Sequence, residues 1–236
     1  MDPSGVIGNP AHQDTHATRS RLALDREERL VKDGILRMGS LVEAQIRGGV
    51  ASLVERDLGR AEVIIAGDSA VNAAQREVTD AIASTIATQS PVARDLRFLL
   101  ALNHVSFELE RMGDHASSIA KQTRWLAHKP TPSVGSGIAA MGHIAADLVT
   151  GILGALVDVD EELARTVAAR DDEIDHGYRA MFAAVIEAMR QDPGLIEGGT
   201  RLILAGHWIE RIGDRVTNIA EDIVYLSTGR VEDLNQ

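Results

Sequence analysis

Residues 35 to 86 align with residues 138 to 189 at a constant offset of 103, apolar position on apolar position. Ile35, Met38, Val42, Ile46 and Leu53 fall on Ile138, Met141, Ala145, Val149 and Leu156, and Asp57 falls on Asp160. Ile64, Val71, Val78, Ile82 and Ile86 then fall on Val167, Ile174, Met181, Val185 and Met189. Past a loop three residues shorter in the second copy the offset becomes 100, pairing Leu102, Val105, Leu109, Met112, Ala116 and Ile119 with Leu202, Ala205, Ile209, Ile212, Val216 and Ile219. A repeat this long requires two copies of one supersecondary unit. Spacings of three, four and seven are those of helices that bury one stripe, and no stretch alternates with period two. The expected fold is all-α, two tandem pseudo-symmetric three-helix bundles built from six long helices.

The breaks between helices are legible. In "TQSPVARD" and "RQDPGL", Ser90 precedes Pro91 and Asp192 precedes Pro193, an N-cap residue followed by proline at the first helical position. Short turns near Asp57 and Asp160 suit antiparallel neighbours. "KPTPSVGSG", residues 129 to 137, reads as a linker. The expected organisation is a flexible tail over 1 to 20, a first bundle over 21 to 128, the linker, a second bundle over 138 to 230, and a C-terminal tail over 231 to 236.

Within the third helix of each copy the string Glu-Arg-x-Gly-Asp recurs, in "ELERMGDHASSIA" (108 to 120) and "WIERIGDRVTNIA" (208 to 220). It places Glu110 and Asp114, and again Glu210 and Asp214, four residues apart on one helix face, where like charges repel by roughly 0.2 to 0.5 kcal/mol. A mid-helix glycine adds roughly 0.5 to 1 kcal/mol against the helix. The middle helices carry matching pairs, Asp68 with Asn72 and Asp171 with Asp175. Oxygen clusters of this kind suit Mg, Mn or iron ions, whose charge turns the repulsion into attraction, and the glycine admits a close neighbour. The competing reading is exposed i,i+3 ion pairs, Arg111 with Asp114 and Arg211 with Asp214, each worth under about 1 kcal/mol. Recurrence at equivalent places in both copies favours a site.

Other candidates are weaker. Glu173 and His176 have the Glu-x-x-His spacing of di-iron carboxylate proteins, which need two such motifs. His207 precedes Glu210 by three residues and could join a metal, whereas Phe107 stands at that place in the first copy. His12 and His16 fall in the tail. With no phosphate loop, nucleophile elbow or His-Glu-x-x-His, an enzyme is not indicated.

Composition narrows the classes further. No cysteine is present, which excludes disulfides and thiolate-held metals and suits a reducing compartment. A formal net charge of −11 with 3% aromatic residues argues against nucleic-acid binding. No apolar run approaching the ~18 residues of a membrane span is expected, and the first twenty residues lack the pattern of a secretory signal.

The duplicated "ELERMGD" and "IERIGDRVTNIAEDIVYL", the "DSAVN" and "DDEID" segments and "SPVARDLR" together resemble the PhoU family of phosphate-transport regulatory proteins, over about residues 22 to 230. The resemblance implies a cytoplasmic, non-catalytic, all-helical regulator that often dimerises. It implies action with the ATPase of the phosphate-specific ABC transporter and with a phosphate-sensing histidine kinase, restraining uptake and holding the starvation response off when phosphate is plentiful. It further implies divalent or iron-type ions (Mg, Mn, Fe or Zn) on Asp68, Glu110 and Asp114 in the first bundle and on Asp171, Asp175, Glu210 and Asp214 in the second. Asn72, Asn218 and Glu221 are secondary candidates. In the first copy Ser118 and Lys121 replace Asn218 and Glu221, so tighter binding is expected in the second. A metal-dependent carboxylate-cluster enzyme and a metal-free helical adaptor are the alternatives.

Overall fold

The computed structural model describes the backbone of residues 10–234 and the side chains of residues 21–234. Those residues form helices α1 (Pro10–Glu55), α2 (Leu58–Gln89), α3 (Ala93–Leu126), α4 (Gly135–Asp158), α5 (Glu161–Ala168), α6 (Asp171–Gln191) and α7 (Ile196–Thr228), with a 3₁₀ turn at Pro193–Leu195 and no strand among them. Helices α1 to α3 make the first three-helix bundle and α4 to α7 the second, as the repeat requires. The bundles are not beads on a linker: α1 packs on α4 and α3 on α7, so Met38, Ile46, Leu109, Met112, Met141, Val149, Ile209 and Ile212 belong to one continuous buried core. Each such side chain, fully withdrawn from water, contributes roughly 1.5 to 3 kcal/mol.

The turns reproduce the repeat atom for atom. Arg56 (φ 56) and Val159 (φ 53) end α1 and α4 in the left-handed conformation. The next residues, Asp57 and Asp160, bond by N–H to Ser52 O and Ala155 O at 2.9 Å each. Their side chains cap the following helices, accepting from Arg60 N at 2.9 Å and Leu163 N at 3.0 Å. A left-handed valine is unfavourable, and the paired hydrogen bonds at the helix end hold it there.

The interface between bundles has its own pseudo-symmetric contacts. A Cβ on Gly142 would lie 2.6 Å from Val50 Cγ2, and one on Gly39 would fall inside contact distance of Leu153 Cδ1. These glycines let α1 and α4 approach closely. Along α3 and α7, Glu108 meets Arg215 Nη1 at 3.4 Å, while the equivalent positions carry Trp208 stacked on His115 with ring centroids 5.2 Å apart. Burial, with Arg211 and Arg215 nearby, pushes the His115 imidazole down to about 4.

Four expectations are corrected. Helix α1 extends back to Pro10, so 10 to 20, expected as flexible tail, are helical. Residues 1 to 9 lie outside the described residues, as do the side chains of His12 and His16. Ser90 does not cap α3; it ends α2 in the left-handed conformation (φ 47), its N–H bonded to Ile86 O at 3.1 Å, and α3 starts behind Val92 without a side-chain cap. Asp192 does cap its turn, accepting from Gly194 N at 2.8 Å.

The middle helix of the second copy is split at Ala169–Arg170, where α2 is unbroken. There the Arg170 N–H reaches only to Val167 O (3.1 Å) and the Glu173 N–H to Arg170 O (3.0 Å), 3₁₀-type bonds that tighten the chain. Finally, α4 is long and apolar enough to cross a membrane, with a mean hydropathy of 1.6 in its best window, because scattered His143 and Asp147 hardly lower the average. Its window is 56% buried inside the bundles, the position of a core helix.

Candidate metal centre

The split between α5 and α6 positions the second bundle's acids. It makes Asp171, Asp172 and Glu173 the first turn of α6, where the helix dipole favours negative charge. It also brings Asp171 onto α7 at Gly213. A Cβ at Gly213 would overlap Asp171 Oδ1, so the motif glycine is the space into which a carboxylate fits. Asp171, Asp172, Asp175, Glu210 and Asp214 line one open cleft of about 630 Å³, closed on its other sides by Ala168, Ala169, Arg215, Thr217, Asn218 and Leu234.

The electrostatics are those of crowded acids. Burial, then Asp175, Asp214 and Glu210, push the Asp171 carboxyl up to about 7. Burial and Asp214 raise Glu210, against the pull of His207, whose Nδ1 stands 2.9 Å from Glu210 Oε2. Burial also raises Asp214, opposed by Arg215 and Arg211. Asp171 Oδ1 is buried with no hydrogen-bond partner. Asp175 is tied loosely to Arg179 at 3.4 Å.

In the first bundle Asp68, Glu110 and Asp114 also come together. Burial, then Asp114 and Asp68, raise Glu110, and burial, then Asp68, raise Asp114 while Lys121 opposes. The differences follow the sequence. Asn72 Nδ2 donates to Asp68 Oδ2 at 3.2 Å, where the second copy has a further carboxylate. At Gly113 the near neighbour is Val71 Cγ1, 3.1 Å from where a Cβ would be, rather than an acid.

The secondary candidates divide. Asn218 lines the cleft but gives its Nδ2 to Glu108 at 3.1 Å. Glu221 Oε1 accepts the Leu234 N–H at 2.9 Å and is outside the cleft lining. Glu173 and His176 are not a joint ligand pair, since Glu173 binds Arg170 at 2.9 Å and His176 Nδ1 lies 2.6 Å from Asp172 O. The ion-pair alternative does not form either: among the described residues Arg111 turns to Glu108 at 3.7 Å, and Arg211 Nε is buried without a partner. Asp172 and the tail residue Leu234 are cleft residues that the repeat did not single out, because they depend on the helix split and on the path of the C-terminal segment.

The residues fit a hard cation. The donors are carboxylate oxygens, one of them buried and unsatisfied, and their mutual repulsion is what a positive ion relieves. Among the described residues no three His, Asp or Glu side chains stand close enough to hold a metal ion as placed; the acids line a cleft rather than converge on a point.

The PhoU domain family model matches residues 35–123 and 138–223, one match on each copy of the repeat. The phosphate-specific transport system accessory protein PhoU homolog of Clostridium acetobutylicum is 35% identical over 219 residues, spanning 92% of this chain and 99% of that protein. The protein of the same name from Rhizobium meliloti is 33% identical over 208 residues, spanning 88% of each. The crystal structure of PhoU from Pseudomonas aeruginosa superposes with a TM-score of 0.83 at 30% identity, covering 87% of this chain and 99% of that one. The phosphate transport system regulatory protein PhoU from Streptococcus pneumoniae gives the same TM-score over 89% and 99%. The chain belongs to the PhoU family.

Proposed function

We propose that this chain is a non-catalytic regulator of phosphate uptake and of phosphate-responsive signalling, whose carboxylate clusters hold divalent or iron-type cations. It acts in the cytoplasm on the ATPase subunit of a phosphate ABC transporter and on a phosphate-sensing histidine kinase, as a homodimer, and reaches the membrane only through these partners. It restrains uptake and signalling when phosphate is abundant. Family membership over both repeats, with relatives named for the phosphate-specific transport system, supports the regulatory part.

One observation carries the cation part: Asp171 is packed into the space left by Gly213, beside Glu210 and Asp214, with a buried oxygen that nothing satisfies. A cation there supplies positive charge that offsets the carboxylate repulsion and links α6 to α7. Asp171, Asp175, Glu210 and Asp214 are the ligands, and Asp172 with His207 stands beside them. Arg215 and Asn218 reach from the cleft wall to Glu108 on α3, so stiffening α7 also stiffens the contact between bundles. The surface formed by α3 and α7 is then presented to a partner in one conformation.

The test combines Glu210→Gln with Asp214→Asn in the full chain. Metal content of the purified protein and binding to the transporter ATPase and kinase are measured beside the parent, and phosphate uptake is measured in cells lacking the gene. Loss of metal with weakened partner binding supports the reading. Unchanged metal and unchanged binding contradict it, as does unaltered uptake and transcription in the deletion strain under replete phosphate.

A further inference from the structure

The segment after α7 turns back over the second bundle's cleft. Gly229 (φ 72) reverses the chain with its N–H on Tyr225 O at 2.9 Å, a left-handed position that glycine occupies without strain. Two ties then hold the returning segment. Arg165 Nη2 donates to Glu232 Oε2 at 2.7 Å while also holding Glu161 Oε1 at 2.9 Å. The Leu234 N–H donates to Glu221 Oε1 at 2.9 Å, thirteen residues back along the chain. The Leu234 side chain packs against the core and lines the same cleft as Ala168, Ala169 and Asp171. The first bundle's matching helix end leads instead into the linker, whose Lys129 O accepts from Arg56 Nη1 at 3.1 Å.

We propose that residues 229–234 are a strap closed over one side of the second bundle's carboxylate cleft, and that its opening widens access to that cleft and speeds exchange with it. The part concerning cations rests on the reading of the cleft as a cation site; the strap itself does not. Its ties are a partly exposed ion pair and a single hydrogen bond, the kind of contact that opens locally while the bundle stays folded. The strap sets the apolar Leu234 on the cleft wall beside Ala168, Ala169 and Asp171, which keeps water from that side and strengthens the pull of the carboxylates on a cation. A cation in the cleft therefore favours the closed strap, and by reciprocity the closed strap favours retention of the cation. The role of Glu221 follows: it stands where the first copy has Lys121 and serves as the anchor of the strap rather than as a ligand.

The chain has no cysteine, so Ala168→Cys gives one thiol inside the cleft, and Thr217→Cys gives a second, independent reporter should the first disturb packing. Maleimide labelling of metal-free, full-length protein is timed with and without the strap-loosening pair Glu232→Gln and Leu234→Ser, with thermal melting to verify that both forms are folded. Loosening is expected to speed labelling about fivefold, as for a strap open about a fifth of the time in the parent. Equal labelling rates at both reporters overturn the proposal. Release of Mn²⁺ to excess chelator, measured without the reporter cysteines, is expected to accelerate by a similar factor, and an unchanged release rate overturns the gating of cations. If neither form binds Mn²⁺ while labelling still differs, the cation reading falls and the strap remains as the cover of the cleft.

Discussion

Replacing Asp171 by Asn removes one charge from the crowded cleft and keeps the shape that fills the space at Gly213. The Asp171 carboxyl ionises at about 7 instead of 3.8, because of burial first and its acidic neighbours second. The folded protein therefore holds this proton more tightly than the unfolded chain does. The resulting stability is fully present below 3.8 and is lost as pH rises through about 7. At about 1.36 kcal/mol per pH unit the ceiling is about 4 kcal/mol. The carboxyl is still partly open to water, and screening reduces this to about 1 to 2 kcal/mol.

In chelator, D171N is accordingly expected to be more stable than the parent by about 1 to 2 kcal/mol at pH 8, a rise in Tm of about 2 to 8 °C for a chain of this size. At pH 4 the two should nearly coincide. Urea or thermal unfolding across pH 4 to 8, each with and without Mn²⁺, measures it. Added Mn²⁺ should stabilise the parent and do little for the variant, a site kept at the expense of stability. An Asn variant that is less stable than the parent at pH 8 in chelator would refute the reasoning, since the repulsion from which it starts would not be there.

Further perturbations separate the parts of the account. Gly213→Ala forces Asp171 out of its place and should weaken Mn²⁺ binding about tenfold or more, comparable to loss of a supporting contact in a metal site; Gly113→Ala, with 3.1 Å to a single valine methyl, should change binding little, and calorimetric titration distinguishes them. Gly142→Ala pushes a methyl to within 2.6 Å of Val50 and should destabilise by about 1 to 3 kcal/mol, as overpacking does, read in denaturant unfolding. Glu108→Ala leaves Arg215 and Asn218 without their acceptor at a position 2% exposed; a loss of about 2 to 4 kcal/mol is expected, and a loss near zero would show that the contact between bundles does not depend on it.

The repeat made most of the fold legible. Apolar positions at helical spacing named the core, and Asp57 and Asp160 marked equivalent turns that proved identical in their hydrogen bonds. The pairing of the bundles was not legible, because Gly39 and Gly142 look like weak helix positions until the partner helix supplies Val50 and Leu153. Ser90 misled because a serine before proline can end one helix as well as cap the next, and only the backbone angle decides. The acid pairs were legible from their duplication, down to the first copy's loss of a carboxylate at Asn72. What spacing could not show was that α5 and α6 separate at Arg170. That split makes Asp171 the carboxylate over Gly213 and brings Asp172 into the cleft. Glu221 shows a related limit: a carboxylate two turns beyond the motif is a ligand candidate by sequence, and in the fold it accepts the Leu234 N–H, a contact no spacing could show.

The central claim is that the duplicated acids are cation sites and that the second is the stronger. Mn²⁺ titration followed by electron paramagnetic resonance, on the parent, on Glu110→Gln with Asp114→Asn, and on Glu210→Gln with Asp214→Asn, tests it directly. The account requires the tight sites to survive the first pair of substitutions and to disappear with the second. Equal retention of tight binding in both variants, or its loss only with Glu110 and Asp114, would contradict it.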